Sequence, residues 1–547
     1  MLMHDVQRAA VLTQEESPFL RIPPFPGAKV RQFETSPSKK CDPDLIVAAL
    51  REARVGGVFW GATPPLPRGA ILVRSISHVE QARQLNPGSR VIVWSDEHSI
   101  GAGPDTIVHG DADPWQMLDG AHALICDATD PVGLVAACIG VAIYVIRNDG
   151  EIVLDQRPAT EWIENSISPG TGFKCPFTGE TLTAIEAIKL TGLWRRQIDA
   201  NRSIVAAHGF AFWKKESVAP LLWGGSSPVN FASSIRDGGE KGEVAIWRAR
   251  TDPGVIAALA TAGRTIVEVE DGFLRSRGLG ADCVPPLSIV VDRRGPHYDP
   301  ARPSELEILL QDGKFDEDVL RRAAFLRNRI VEAGLGKYEA GGAPVGRFAP
   351  NRRHLLVPGQ VEDDQSVLTG GGSLTNLEVL KRVRSANPNA YIIYKPHPDV
   401  VAGHREGASP DQQALNYADR VVTNLPISAL LEMVDEVHVN TSLTGFEALL
   451  RGKPVTTLGV PFYAGWGLTT DLGPIPARRS ARRSLDELVA AALILYPRYW
   501  DPITGLPCPA EVAVDRLICG NPSRHNVLVG LRRLQGRVAK RLKSMNR

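Results

Sequence analysis

The chain has 547 residues, 43% of them hydrophobic and 22% charged, enough for several packed cores and therefore for a globular protein of more than one domain. Lysine and arginine number 62 against 61 aspartate and glutamate, so there is no basic field of the kind that nucleic-acid binding needs. Seven scattered cysteines without a CxxC pair argue against a disulfide framework and a structural zinc site, and fit the cytosol; the absence of any run of eighteen apolar residues predicts a chain that neither spans a membrane nor is exported.

Residues 1–56 are rich in Pro, Ser and charge and are read as a partly ordered lead-in. Beyond them, the apolar runs Ala70–Val73, Val91–Trp94, Ala123–Cys126 and Val141–Tyr144 alternate with helix-permitting segments, the rhythm of βαβ units, which predicts a Rossmann-like domain over 57–195. Helical spacing over 178–208 predicts a bridging helix and a domain boundary near 195–210. A second series follows with strands at Val244–Trp247, Thr265–Val269 and Ser288–Val291 and a helical stretch around 304–335. A third has strands at His354–Val357, Tyr391–Tyr394, Glu436–Val439 and Pro454–Thr457. The expected fold class is α/β: a GT-B-like pair of Rossmann-type domains over about 210–525, divided into 196–345 and 346–523, with the degenerate Rossmann-like domain in front.

An internal repeat supports this partition. TSLTGFEALLRGKPVTT near the end of the third series is matched by DATDPVGLVAACIGVAIYV near the end of the first, with Gly133 and Gly140 spaced like Gly445 and Gly452. Pro502-Ile503-Thr504-Gly505 likewise echoes Pro176-Phe177-Thr178-Gly179, so 57–195 reads as a reduced copy of the C-terminal half of the 210–525 module. The copy has Val135 where Glu447 stands, which predicts that it no longer binds nucleotide. At 524–547, Val527, Leu531, Leu534, Val538 and Leu542 recur at spacings of three or four among Arg and Lys, predicting a basic amphipathic tail suited to an anionic membrane surface.

Four constellations carry chemistry. Glu270 and Asp271 adjoin at a Gly turn directly after a strand, beside Arg275, where open α/β sheets keep their sites. Pro358-Gly359-Gln360-Val361-Glu362-Asp363-Asp364 also follows a strand, and a carboxylate there can act as nucleophile or base on a sugar centre. These acids lack partners at metal-ligand spacing, so no metal is expected. In Lys395-Pro396-His397-Pro398 the prolines fix φ and so aim an imidazole that can meet a leaving phosphate. In Asn440-Thr441-Ser442-Leu443-Thr444-Gly445-Phe446-Glu447 a strand, a hydroxyl-rich turn and a helix start form a phosphate cradle, with Glu447 placed to accept from ribose hydroxyls; Thr444 as a simple N-cap is the bland alternative.

Taken together, EDGFLRSRGLGAD, VPGQVEDDQS, YIIYKPHPDV, TSLTGFEALLRGKPVTTLGVPFYAGWGLT and LILYPRYWDPITG resemble the capsule β-Kdo transferases of the KpsC type, over roughly 195–525. The resemblance implies a retaining glycosyltransferase at the cytoplasmic face of the inner membrane. It would use CMP-Kdo and no cofactor to build the Kdo linker on a phosphatidylglycerol-type lipid acceptor, alongside other capsule-assembly proteins. It places the family's acidic-Gly motif on Glu270, Asp271 and Gly272 and its His-Pro motif on His397 and Pro398. Family members usually carry two complete modules, whereas this chain has one after a truncated copy. The mechanism expected has CMP on Thr441, Ser442, Thr444 and Glu447, and His397 with Lys395 offsetting phosphate charge. Asp364, or its neighbour Asp363, is the nucleophile, and Asp271 or Glu270 deprotonates the acceptor. The alternatives are another CMP-sugar transferase, such as a sialyltransferase, and a non-catalytic capsule-assembly scaffold; the intact set Asp271, Asp364, His397 and Glu447 speaks against the latter.

Overall fold

The structure is a computed structural model that describes residues 19–95, 106–109, 111–147, 150–168, 170–232, 242–276, 284–336, 345–397, 400 and 411–520. The predicted tail at 524–547, and Pro398 of the His-Pro motif, lie outside the described residues. The chain forms two compact units, one of residues 1–203, 222–228 and 503–506, the other of 204–221, 229–502 and 507–547.

The first unit holds a six-stranded sheet in the order Thr106–His109, Val91–Ser95, Ile71–Val73, Ala123–Cys126, Ala142–Ile146 and Ile152–Asp155, parallel except for the last pair. Ile71, Val73, Val91, Val93 and Ile125 are buried in its core, as near-continuous apolar strands of a two-sided parallel sheet should be. The helix Pro43–Ala53 also belongs to this unit and buries Ile46, Val47 and Leu50, so this part of the expected lead-in is packed structure. Asp42 caps it and Pro43 opens it, the preferred pairing at a helix start.

The segment expected to be helical over 178–208 is helical only at Ala184–Asn201, which starts at a capping box between Thr183 and Glu186. Ile204–His208 is instead a strand of the second unit, where Ile204, Ala206, Ala207 and His208 pair in a parallel ladder with Glu243–Ile246, the register shifting at Val205.

The second unit has two sheets. One has seven strands in the order Asn230–Phe231, Ile204–His208, Glu243–Ile246, Ile266–Asp271, Ser288–Asp292, Pro497–Trp500 and Pro507–Cys508. The first four are parallel to one another and the rest antiparallel. The expected boundary at 346–523 is therefore corrected: Pro497–Trp500 and Pro507–Cys508 return to the first sheet, because Pro497, Arg498 and Tyr499 pair with Val290, Ile289 and Ser288. The other sheet has six parallel strands, Arg420–Val421, Tyr391–Lys395, His354–Pro358, Glu436–Val439, Val455–Thr457 and Thr470–Asp471. Its connectivity is that of the sheet in the first unit: the earliest strand is central, the next two lie to one side and the last three to the other.

Candidate functional site

In the six-stranded sheet of the second unit, the central strand His354–Pro358 neighbours Tyr391–Lys395 on one side and Glu436–Val439 on the other. Its order reverses between His354–Pro358 and Glu436–Val439, and open α/β sheets hold ligands at such a point, beyond the carboxyl ends of the strands. The turns leaving these two strands are stitched together by Gln360. Its Nε2 donates to Oγ1 of Thr441 at 3.0 Å, and its Oε1 accepts from the Thr441 backbone N–H at 2.9 Å. Asn376 holds the backbone of Gln360 from the other side, donating to its carbonyl and accepting from its N–H, both at 2.8 Å.

Ser442, rather than Thr444, is the N-cap of the helix Leu443–Leu450, and its hydroxyl accepts from the Thr444 N–H at 3.2 Å. Ser442 has the extended φ and ψ of a cap, while Thr444, the bland alternative for that role, is already inside the first turn. Gly445 faces away from the cavity, toward Tyr463, whose hydroxyl would lie 2.2 Å from an added Cβ. That hydroxyl donates to the Ser442 carbonyl and so fixes the cap.

The opposite wall comes from the seven-stranded sheet. Glu270 and Asp271 end the strand Ile266–Asp271 and divide in character. Asp271 is gripped by Lys214 Nζ at 3.0 Å and Arg275 Nε at 2.8 Å. Burial works against its charge, but these two cations overcome it and hold the carboxyl well below the usual range. Glu270 has no such pair. Burial, then the neighbouring charge of Asp271 and that of Asp364, outweigh Lys214 and push its pKa up to about 8.

Glu270, Asp271, Asp363, Asp364, Lys395, His397, Thr441, Ser442, Thr444 and Glu447 all line one cavity of about 660 Å³, so every expected site residue except Gly445 borders it. Asp364 caps the helix Gln365–Gly370, its Oδ1 accepting from the Ser366 N–H at 3.0 Å and hydroxyl at 2.8 Å, so the carboxylate is held in one orientation. Lys395 donates to the Leu425 carbonyl at 2.6 Å. The aromatic part of the lining went unpredicted: Phe273 stacks on Phe462 at 4.4 Å between centroids, and His297 meets Phe273 edge-on at 4.9 Å. The Phe in EDGF and the Phe-Tyr pair in GVPFYAGWG were the available signals. Lys214 had a weaker one, a Phe-Trp-Lys-Lys run just after the strand Ile204–His208.

The family described as "Capsule polysaccharide biosynthesis protein" matches residues 243–340 and 317–499, which contain this cavity. The chain is 40% identical over 349 residues to the capsule polysaccharide modification protein LipA of Neisseria meningitidis serogroup A, covering 63% of this chain and 49% of that protein. It therefore spans about half the length of that relative. It is 48% identical over 254 residues to the lipopolysaccharide-processing protein LpsZ of Rhizobium meliloti, 46% of this chain and 58% of that one. Among solved structures, the β Kdo 2,4 transferase of Thermosulfurimonas dismutans KpsC matches at 33% identity and a TM-score of 0.50, over 57% of this chain and 98% of that structure. With its motifs in order and its cavity built from them, the chain belongs to the KpsC-type family of capsule polysaccharide β-Kdo glycosyltransferases.

Proposed function

We infer that the cavity transfers Kdo from CMP-Kdo to a Kdo-terminated lipid acceptor in capsule assembly, retaining configuration. The observation that carries this reading is the opposition, across one cavity, of a nucleotide cradle at a sheet switch point and a pair of carboxylates with divergent proton affinities. The cradle of Thr441, Ser442, Thr444 and Glu447 takes the CMP, and Lys395 and His397 balance its phosphate as the bond to the sugar breaks. The orientation of Asp364, fixed through Oδ1, leaves Oδ2 to attack the anomeric carbon; CMP departs with the bonding electrons, leaving the sugar joined to Asp364 through an ester and still carrying its own carboxylate. Asp363 lines the same wall and is the alternative nucleophile.

Glu270 acts in its ionised form, its proton released to solvent; conversion of Asp364 to an ester removes one of the charges that raise the Glu270 pKa, while the carboxylate of the sugar remains at the reacting carbon. The acceptor hydroxyl then gives its proton to Glu270 and attacks the same carbon, releasing Asp364. Asp271 serves by keeping Lys214 and Arg275 in place. No step draws on a metal or cofactor. Among the described residues no helix is long and apolar enough to cross a membrane, and a peripheral position at the inner face of the inner membrane suits a lipid acceptor. The test is incubation with a Kdo-terminated acceptor and either CMP-Kdo or CMP-sialic acid: a product heavier by one Kdo, with the sialyl donor inert, is expected, and preference for the sialyl donor would overturn the reading.

A further inference from the structure

Beside the strand that carries Glu270 lie side chains outside the family motifs. The strand Glu243–Ile246 runs parallel to Ile266–Asp271, which carries Glu270, and leads into Arg248-Ala249-Arg250. Ala249 lines the cavity, and the two arginines beside it differ. Arg248 is committed, its Nε donating to both carboxylate oxygens of Glu268 at 2.9 and 3.0 Å. Arg250 is exposed and has no carboxylate partner among the described residues; its guanidinium lies 5.6 Å from the ring centre of Trp213.

Trp213 in turn meets Phe212 edge-on at 5.2 Å, and Phe212 is 61% exposed. The indole N–H of Trp213 is buried with no hydrogen-bond partner among the described residues. The next residue is Lys214, the partner of Asp271, whose ammonium also lies 3.3 Å from the ring centre of Trp247. Two aromatic rings and a guanidinium with no carboxylate partner among the described residues thus stand just outside the cavity lining, next in the chain to Lys214, which grips Asp271, and to Ala249, which lines the cavity. Aromatic faces take the C–H face of a sugar, and a guanidinium takes a carboxylate through paired hydrogen bonds.

We propose that Phe212, Trp213 and Arg250 form a subsite for the terminal acidic sugar of the acceptor chain. This rests on the reading above for its substrate, and on the placement of Glu270 for its side: the hydroxyl that gives Glu270 its proton must approach along this wall. The subsite selects acceptors whose last sugar carries a carboxylate, and it leaves the donor untouched.

The test measures binding of a soluble Kdo-terminated oligosaccharide by calorimetry and its glycosylation kinetics, in the parent, Arg250→Ala and Phe212→Ala. A matched oligosaccharide with its terminal carboxylate converted to an amide serves as the control ligand. Arg250→Ala should weaken binding and raise the acceptor KM about tenfold or more, the loss of one charge-assisted pair, with kcat and the donor KM unchanged. The amide should bind parent and Arg250→Ala alike, and Phe212→Ala should weaken both ligands. A parent that transfers Kdo while Arg250→Ala binds and reacts normally overturns the subsite and leaves the function standing. Arg250-dependent binding without Kdo transfer overturns the function and leaves the subsite. An equal loss on the acidic and amide ligands in Arg250→Ala overturns the carboxylate assignment.

Discussion

Nε of Arg479 donates to Oε2 of Glu307 at 2.9 Å, and the same guanidinium reaches the carbonyls of Pro461 and Ala464 at 2.8 and 2.9 Å. Both side chains are buried, and Arg478 contributes a second cation to Glu307. The turn held in this way carries Phe462, which stacks on Phe273 of the opposite wall, and Tyr463, which fixes the Ser442 cap. One ion pair therefore sets the spacing of both halves of the site.

Glu307→Gln leaves two arginines without their charge partner, and loss of one member of such a buried pair costs on the order of 3–5 kcal/mol. Denaturant unfolding should report that loss. Arg479→Lys, which keeps the charge but cannot reach all three oxygens, should raise the CMP-Kdo KM more than it lowers kcat. Equal stability in Glu307→Gln would show that the pair holds nothing in place.

The raised proton affinity of Glu270 makes a linkage prediction. Its pKa is about 8 in the folded chain against an ordinary value of 4.5, so the stability that its protonated form contributes is fully present below about 4.5 and is lost as pH rises through 8. Glu270→Gln cannot ionise and escapes this loss. The variant should gain stability over the parent as pH rises from 5 to 9, by roughly 1–3 kcal/mol after allowance for its partial exposure and coupling to Asp271, while transfer falls by about a hundredfold or more. Melting curves at pH 5, 7 and 9 check the first part and initial rates the second. A constant stability difference across that range would contradict the raised pKa.

Gly445 should tolerate no side chain while Tyr463 keeps its hydroxyl, because an added Cβ would sit 2.2 Å from that oxygen. Gly445→Ala should weaken CMP binding by about tenfold and destabilise the fold by roughly 1–3 kcal/mol, the usual cost of overpacking. Tyr463→Phe removes the obstructing oxygen, and the double variant should recover part of both losses. Calorimetric CMP binding on the three variants measures this, and strict additivity would argue against the steric cause.

Much of the site was legible because its residues sit next to strands that the sequence marks clearly. Glu270 and Asp271 end one, Lys395 ends another, and Thr441 with Ser442 follows a third. Pairings across long stretches of chain were not legible: Lys214 meets Asp271 across 57 positions, and Arg479 meets Glu307 across 172. Hydrophobic periodicity carries no information on which charges will meet, so the distinction between Glu270 and Asp271 could not be drawn from their adjacent positions. Of the fold, the three βαβ series stood out through Val- and Ile-rich strands, whereas the short, proline-initiated strand Pro497–Trp500 reads locally as a loop and gains its identity by pairing with Ser288–Val290 and Pro507–Cys508. The helix Pro43–Ala53 did have a local signal, Asp42-Pro43, hidden within a segment of unpromising composition.

Transfer in two steps through a carboxylate facing Glu270 is open to a direct check, intact-protein mass spectrometry after brief exposure to CMP-Kdo without acceptor. A fraction of the protein should be heavier by one Kdo, with the sugar on Asp364, or on Asp363 beside it, and discharged when acceptor is added. Asp364→Asn should abolish the adduct if Asp364 is the nucleophile. A transfer that proceeds at full rate in Asp364→Asn and in Asp363→Asn, with no adduct and with the sugar inverted in the product, would contradict it.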